Sequence, residues 1–286
     1  MSERIPAVLA KVVSNQKKLT LSENEIANFV IENPDFVTKN TITALAEKVG
    51  VSETSINRFC KKIGFKGFND FKIALVQDVF YRKMKSKTIN HDQVSFVESI
   101  AFDYNDLLMN TSSLITDDQL AAIAAALISS KKIMIYGILS SWLVGMELKQ
   151  KLNMMGFTAA AYNDRHNMKL SASLAGKDDL IIAISRSGTV KEIIEALTIA
   201  SQNNAKIVII TSFDSTKITA LADIKIITSD ILSVKNSTYI SHHIPFLFAI
   251  DLIIGNLLTN HKAYLEKKLN AEALLEGEQF WNNYYL

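Results

Sequence analysis

Hydrophobic residues in the first third of the chain recur at helical spacing over short segments. Ser22, with Glu25 three residues later, has the pattern of a capping box and predicts the start of a helix. Ile26, Phe29 and Val30 form the apolar stripe of that helix. The proline at position 34 predicts its end.

Two further short helices are predicted on either side of a tight turn. Apolar residues recur at i, i+3, i+4 and i+7 over residues 42–49 and again over residues 56–63. Thr41 and Ser52 are the N-caps, and Gly50 lies in the turn between the helices. A glycine turn between two short amphipathic helices is typical of a helix-turn-helix.

The polar face of the second of these helices carries side chains suited to DNA. Arginine and asparagine can bond base edges bidentately, whereas lysine and small hydroxyl residues contact phosphates. Asn57 and Arg58 lie in the first half of the helix, which enters the groove. A solvated face on a helical bundle is the alternative. The predicted DNA-binding residues are Thr41, Ser52, Thr54, Ser55, Asn57, Arg58, Lys61, Lys62 and Lys66.

The rest of the chain alternates apolar runs with amphipathic stretches. Short continuous apolar runs are typical of buried parallel strands, and their alternation with helices predicts an open α/β sheet. The fold class is therefore α/β, with an all-α bundle before a parallel five-stranded sheet. Residues 94–130 are predicted to be helical, and residues 237–260 and 262–284 to form two closing helices. The predicted strands are residues 132–136, 157–162, 179–185, 206–211 and 224–228.

Two turns at the ends of predicted strands contain small hydroxyl residues and glycine. In an open α/β sheet, ligands bind beyond the carboxyl ends of the strands. Helix N-termini there favour phosphate, and hydroxyl groups can donate to its oxygens. Ordinary strand-to-helix turns are the alternative, because such turns use the same residues. The candidate residues are Gly137, Ser140 and Ser141 in one turn, and Ser185, Ser187, Gly188 and Thr189 in the other.

Composition and charge narrow the class of protein. The 286 residues are 48% hydrophobic and 21% charged, which excludes a disordered chain. Cys60 is the one cysteine, so a disulfide within the chain is excluded and a cytoplasmic location is favoured. It lies on a predicted apolar stripe, so we expect it to be a core residue. We expect no signal peptide and no membrane-spanning segment, and we interpret residues 244–258 as a buried helix. Residues 1–91 carry a net charge of +6 and the remainder −4, so only the first third is suited to a polyanion.

Residues 57–72, NRFCKKIGFKGFNDFK, resemble the N-terminal domain of RpiR/MurR-type bacterial transcriptional regulators. Residues 45–47 (LAE) and 50–52 (GVS) fit the same pattern. That resemblance implies a helix-turn-helix joined to a sugar-isomerase-like (SIS) domain that senses a phosphosugar. The implied function is sequence-specific regulation of carbohydrate metabolism genes, without enzyme activity. The implied domains are residues 1–81 for DNA binding, 82–93 as linker and 94–286 for the SIS domain.

The C-terminal part extends the resemblance. Residues 184–188, ISRSG, resemble the phosphosugar-binding turn of SIS domains, and His166 falls where the family carries Asp-x-His. The matching phosphate ligands would be Ser141, Ser185 and Ser187. The implied partners are a double-stranded DNA operator, a sugar phosphate or amino-sugar phosphate, and further copies of the chain in a homodimer or homotetramer. No cofactor and no metal are expected.

Three positions depart from the family pattern. Val190 stands where the second turn usually has threonine, and Leu139 stands where the first turn usually has glycine. Residues 241–243 are SHH, where family members often have Ser-Arg. These changes bear on the affinity for phosphate and on the identity of the ligand.

Two other functions are alternatives to a phosphosugar-sensing transcriptional regulator. A sugar-phosphate aldose–ketose isomerase with an accessory helical domain needs a general base of tuned pKa. A phosphosugar-binding regulator of another protein would use the N-terminal helices for protein contact, but the lysines at positions 61, 62 and 66 favour a polyanion. The candidate bases for an isomerase are Glu147, Glu192, Glu195, His166, His242 and His243, and none has a spacing that marks it as catalytic.

Overall fold

A computed structural model describes residues 7–87, 95–234 and 238–282, which contain thirteen α-helices and five β-strands. The chain forms two compact units. One unit comprises Met1–Ile115 with the segments Ser212–Thr216 and Ile227–Pro245. The other comprises Thr116–Thr211, Lys217–Ile226 and Phe246–Leu286.

The first unit is helical, and its helices α1 to α6 contribute to one apolar core. Fully buried side chains such as Leu45, Ile56, Phe59 and Phe71 fill that core. Phe59 meets Phe71 edge to face, with ring centroids 5.9 Å apart. The helices are α1 Val8–Asn15, α2 Leu21–Glu32, α3 Pro34–Lys39, α4 Ile42–Val49, α5 Glu53–Lys62, α6 Phe68–Lys87 and α7 Phe96–Leu114.

The start of α2 differs from the sequence prediction. The capping box is formed by Thr20 and Glu23, two residues earlier than the predicted Ser22 and Glu25. Both pairs have the same spacing, so the pattern alone does not distinguish them. The proline at position 34 does follow α2, but it also occupies the first turn of α3, where its missing N–H costs nothing.

Helix α6 runs past the predicted domain boundary at residue 81. It continues to Lys87, so residues 82–87 of the predicted linker are helical. Residues 88–93 of the predicted linker lie outside the described residues. The boundaries drawn from the sequence stay a prediction.

The second unit contains the predicted five-stranded parallel sheet, in the order β2-β1-β3-β4-β5. The central strands are buried on both faces, which explains their continuous apolar runs. The predicted stretch 94–130 is two helices, because Thr116 starts α8 with its own capping box. The elements are α8 Asp117–Ser129, β1 Lys132–Tyr136, α9 Ser140–Met154, β2 Ala159–Tyr162, α10 Arg165–Leu174, β3 Asp179–Ile184, α11 Lys191–Gln202, β4 Lys206–Thr211, β5 Ile224–Ile227, α12 Ile244–Asn260 and α13 Lys262–Asn282.

Helix α12 is the most apolar helix of the second half. Within the described residues, no single helix has the length and hydropathy to cross a bilayer. Helices α12 and α13 have that length and hydropathy only when they are taken together, and a bend of 113° separates them. Ala249, Ile250, Ile253 and Leu257 of α12 are buried, as the sequence predicts for a core helix.

Candidate functional site

Capping residues and a left-handed glycine define the geometry of helices α4 and α5. Thr41 Oγ1 accepts a hydrogen bond from the N–H of Ala44 at 3.2 Å, and Ser52 Oγ accepts one from the N–H of Ser55 at 3.1 Å. Gly50 ends α4 with φ +75°, a conformation that side chains rarely adopt. The predicted caps and the helix-turn-helix turn are therefore confirmed.

The two faces of α5 divide as the sequence predicts. Ile56, Phe59 and Cys60 are buried in the core of the bundle. Burial raises the pKa of the Cys60 thiol to about 12, so this cysteine is a protonated core residue. Of the predicted DNA-binding residues from the N-cap of α5 onward, Ser55 and Asn57 are half-buried, and the exposed ones are Ser52, Thr54, Arg58, Lys61, Lys62 and Lys66.

One of the exposed lysines already has a carboxylate partner. Lys62 Nζ lies 2.7 Å from Glu23 Oε2 of α2. Burial acts to raise the pKa of Glu23, but the hydrogen bonds from Lys62 and Thr20 outweigh it and the pKa is lowered. Arg58 and Lys61 make no ion pair within the described part of the chain. The charge of Lys62 is therefore offset by a neighbouring carboxylate, whereas no described carboxylate offsets the charges of Arg58 and Lys61.

Asn57 makes a hydrogen bond inside the bundle. Its Oδ1 accepts a hydrogen bond from the N–H of Phe68, the first residue of α6, at 3.0 Å. Gly67 makes room for it, because a Cβ at this position would lie 3.2 Å from the same Oδ1. Asn57 therefore holds α5 to the start of α6, and its contact with a base stays a prediction.

The two hydroxyl-containing turns of the second unit follow neighbouring strands. β1 and β3 run parallel, with Tyr136 opposite Ala183, so their carboxyl ends lie side by side. In the strand order 2-1-3-4-5 this is the point at which the strand order reverses, and ligands of such sheets bind there.

The first turn, residues 137–141, is tightly folded. A Cβ on Gly137 would lie 2.8 Å from the carbonyl oxygen of Ser141, so only glycine fits. The N–H of Ser141 donates to the carbonyl of Ile138 at 3.2 Å, which closes a β-turn. Leu139 has φ 54° and ψ −125°, the first central position of a type II′ turn, which glycine normally occupies. Its side chain is 85% exposed.

The second turn, residues 185–189, carries its own hydrogen bonds. Ser185 is buried, and its Oγ accepts from the N–H of Gly188 at 3.3 Å. Ser187 Oγ accepts from the N–H of Thr189 at 3.3 Å and from its hydroxyl at 3.0 Å. Gly188 has φ +61°, so here a glycine occupies the left-handed position. The serines of this turn are thus held in place before any ligand binds.

Thr211 supports the second turn and is not among the site residues predicted from the sequence. Its hydroxyl donates to the carbonyl of Arg186 at 3.2 Å, from the end of β4. A hydroxyl residue at the carboxyl end of a buried strand is the sequence signal that identifies Thr211 as a candidate site residue.

Helices α9 and α11, which follow the two turns, begin without a side-chain cap. Leu139 and Val190 are their N-cap residues, and neither side chain has a polar atom. Six described helices, α2, α4, α5, α7, α8 and α10, have a Ser, Thr or Asp cap. Helices α1 and α3 also lack such a bond, but neither follows a strand. The uncapped helix starts beside the two turns are suited to an anion.

His166 lies in the first turn of α10, after the edge strand β2. It is exposed, and β2 pairs with β1. Asp164 caps this helix by accepting from the N–H of Asn167 at 2.9 Å, and that bond is the main reason that the pKa of Asp164 is lowered. The Asp-x-His segment therefore lies at the carboxyl ends of the strands, as the two turns do.

Comparisons with known proteins identify two family domains in the chain. A model of the helix-turn-helix domain of the rpiR family matches residues 7–80, and a model of the SIS domain matches residues 126–248. An HTH-type transcriptional regulator of Caldanaerobacter subterraneus is 30% identical over 260 residues, covering 90% of this chain and 92% of that protein. One of Clostridium perfringens is 27% identical over 276 residues, covering 94% and 98%.

A solved structure is similar in fold over most of the chain. The Vibrio vulnificus NanR protein complexed with ManNAc-6P aligns with a TM-score of 0.59 and 24% identity, covering 94% of this chain and 98% of that one. The fold and the matches define a helix-turn-helix protein with an SIS domain. The chain belongs to the rpiR family of helix-turn-helix transcriptional regulators.

Proposed function

We propose that this DNA-binding transcriptional regulator controls carbohydrate metabolism genes in response to a phosphosugar. The helix-turn-helix binds a double-stranded DNA operator, and the SIS domain binds a sugar phosphate or an amino-sugar phosphate. NanR, which shares the fold, is complexed with ManNAc-6P, and this supports the amino-sugar phosphate class. The functional domains are residues 1–81 and 94–286, joined through 82–93.

One observation supports the proposed effector site most directly. Two adjacent parallel strands each end in a turn of small hydroxyl residues, and each turn leads into a helix whose N-cap side chain has no polar atom. The backbone N–H groups of such helix starts favour a phosphate. Hydroxyl groups from both turns supply further donors. The residues that we assign to the effector are Gly137, Ser140, Ser141, His166, Ser185, Ser187, Gly188 and Thr189.

On the DNA side, Arg58 is the leading candidate for base recognition. It is exposed on the outer face of α5, where arginine can bond guanine bidentately. Thr54, Ser55, Lys61, Lys62 and Lys66 position the helix on phosphates, together with the caps Thr41 and Ser52. Asn57 ranks below Arg58, because its Oδ1 already accepts the N–H of Phe68.

The regulator works as a homodimer or homotetramer in the cytoplasm. One helix-turn-helix reads too few base pairs to select a site in a genome, and two copies on a pseudo-palindrome remove this limit. The effector changes DNA affinity by its different affinities for the two states of the protein.

The isomerase function is the less supported alternative. Glu195 is paired with Lys169 at 2.8 Å and with Arg165 at 3.0 Å, and these partners, Lys169 first, lower its pKa. Glu147 lies 3.3 Å from Lys151. The lowered pKa of Glu195 is the opposite of the raised pKa that suits a general base. Incubation with aldose and ketose phosphates, followed by NMR, should show no interconversion.

Thermal unfolding against a panel of sugar phosphates and their unphosphorylated parents tests the effector site. A ligand at 100 times its Kd adds about 2.7 kcal/mol of stability. Ser187→Ala should weaken a phosphate-dependent hit by about tenfold to a hundredfold, since a hydrogen bond to a charged group is lost. Ser173→Ala on the exposed face of α10 is the matched control. Equal affinity in both variants would remove the second turn from the site.

A further inference from the structure

We propose that Glu53 reads cytosine in the operator and that Thr43 positions its carboxylate. This inference rests on the proposed DNA-binding function. Glu53 is the first residue of α5, and the N-terminal residues of a recognition helix meet base edges in the major groove. The carboxylate is exposed, as is Thr43 in the first turn of α4.

A short hydrogen bond joins the starts of the two helices. The hydroxyl of Thr43 donates to Glu53 Oε1 at 2.6 Å. Both side chains are exposed, so holding them in one geometry costs rotamer entropy. A glutamate that only stabilises the helix dipole needs no fixed direction. The bond from Thr43 instead orients the carboxylate as a hydrogen-bond acceptor.

The charge of Glu53 is opposite to that of the other charged residues of α5. Arg58, Lys61 and Lys62 of this helix are cationic and exposed. A carboxylate brought toward DNA is repelled by the phosphates unless a base donates a hydrogen bond to it. In the major groove, the exocyclic amino group of cytosine is such a donor. Adenine also has an amino group there, but its N7 acceptor lies beside it and repels a carboxylate, so the discrimination is for cytosine.

Selection of binding sites from a random DNA library tests this assignment, with the full-length protein. The wild type should select cytosine at one position of each half-site. Glu53→Gln should shift that position toward adenine, which glutamine bonds bidentately, with about a tenfold loss of the preference for cytosine. Thr43→Val, which keeps the shape but removes the donor, should weaken the preference at the same position only.

Glu47→Gln is the matched control, since it removes one exposed negative charge from α4. It should raise affinity for all sequences equally and leave base preference unchanged. If Glu53→Gln has the same uniform effect as Glu47→Gln, Glu53 reads no base and the inference is overturned. A wild type that selects no sequence at all contradicts the proposed DNA-binding function itself, and this outcome is distinct from the first.

Discussion

The two turns at the carboxyl ends of β1 and β3 carry the same kind of residues but are built differently. In the second turn, Gly188 takes the positive φ, and the hydroxyls of Ser185 and Ser187 are held by backbone donors. In the first turn, Leu139 takes the positive φ, and its apolar side chain stands in solvent. The second turn is relaxed and preorganised, whereas the first holds backbone strain.

That difference shows where the chain tolerates strain. A non-glycine residue in such a backbone conformation costs about 1–3 kcal/mol and persists only when the surroundings enforce it. Here the enforcing contact is Gly137, whose Cα approaches the backbone of Ser141 too closely for any side chain. The first turn is thus closed by a glycine at one position and strained by a leucine two residues later.

The largest effect is expected for Gly137→Ala. The new Cβ would lie 2.8 Å from the Ser141 carbonyl oxygen, and backbone cannot move aside as a flexible side chain does. Overpacking of this kind costs about 1–3 kcal/mol, which chemical denaturation measures as a lower unfolding midpoint. Displacement of Ser141 should also weaken effector binding.

Gly176→Ala is the matched control for this change. An added Cβ at Gly176 meets nothing within 4 Å, and its φ is not positive. The unfolding midpoint of this variant should stay at the wild-type value or rise slightly. An equal loss in both variants would show that the close approach at Gly137 does not decide the stability of the first turn.

A smaller effect is expected for Gly188→Ala in the second turn. Gly188 has a positive φ, and alanine in the left-handed region costs about 1–2 kcal/mol. Stability should fall by that amount, while the hydrogen bonds of Ser187 with Thr189 keep the turn in place. Denaturant unfolding and effector titration of the same variant measure both quantities. A loss larger than that of Gly137→Ala would reverse the proposed ranking of the two turns.

The sequence predicts most of the fold because hydrophobic periodicity and the residues that cap or end helices are local signals. The strands Lys132–Tyr136 and Lys206–Thr211 coincide with the predicted runs, and the caps Thr41 and Ser52 are where the pattern places them. The start of α2 was misplaced, because two capping-box patterns overlap and only packing selects between them.

The sites were less accessible to prediction, because hydrogen bonds between distant residues leave no periodic signal. Asn57 has the composition of a base reader, yet its Oδ1 accepts the N–H of Phe68, eleven residues later. Thr43 and Glu53 belong to separate helices and meet only in the folded bundle. For Leu139, the resemblance identified an unusual residue at a glycine position, but not its positive φ.

The smallest effect, and the one of opposite sign, is expected for Leu139→Gly. Glycine adopts φ 54° and ψ −125° without strain, which recovers about 1–3 kcal/mol, while its greater freedom in the unfolded state costs about 0.5–1 kcal/mol. The net result is a gain of up to about 2 kcal/mol, seen as a higher unfolding midpoint. Leu143→Gly, at an exposed position inside α9, is the control and should lose about 1 kcal/mol. If both variants lose stability, the first turn carries no strain and the two turns are equivalent. If only Leu139→Gly gains, the strain is real, and effector titration of that variant then shows whether the strained turn lowers or raises affinity for the phosphosugar.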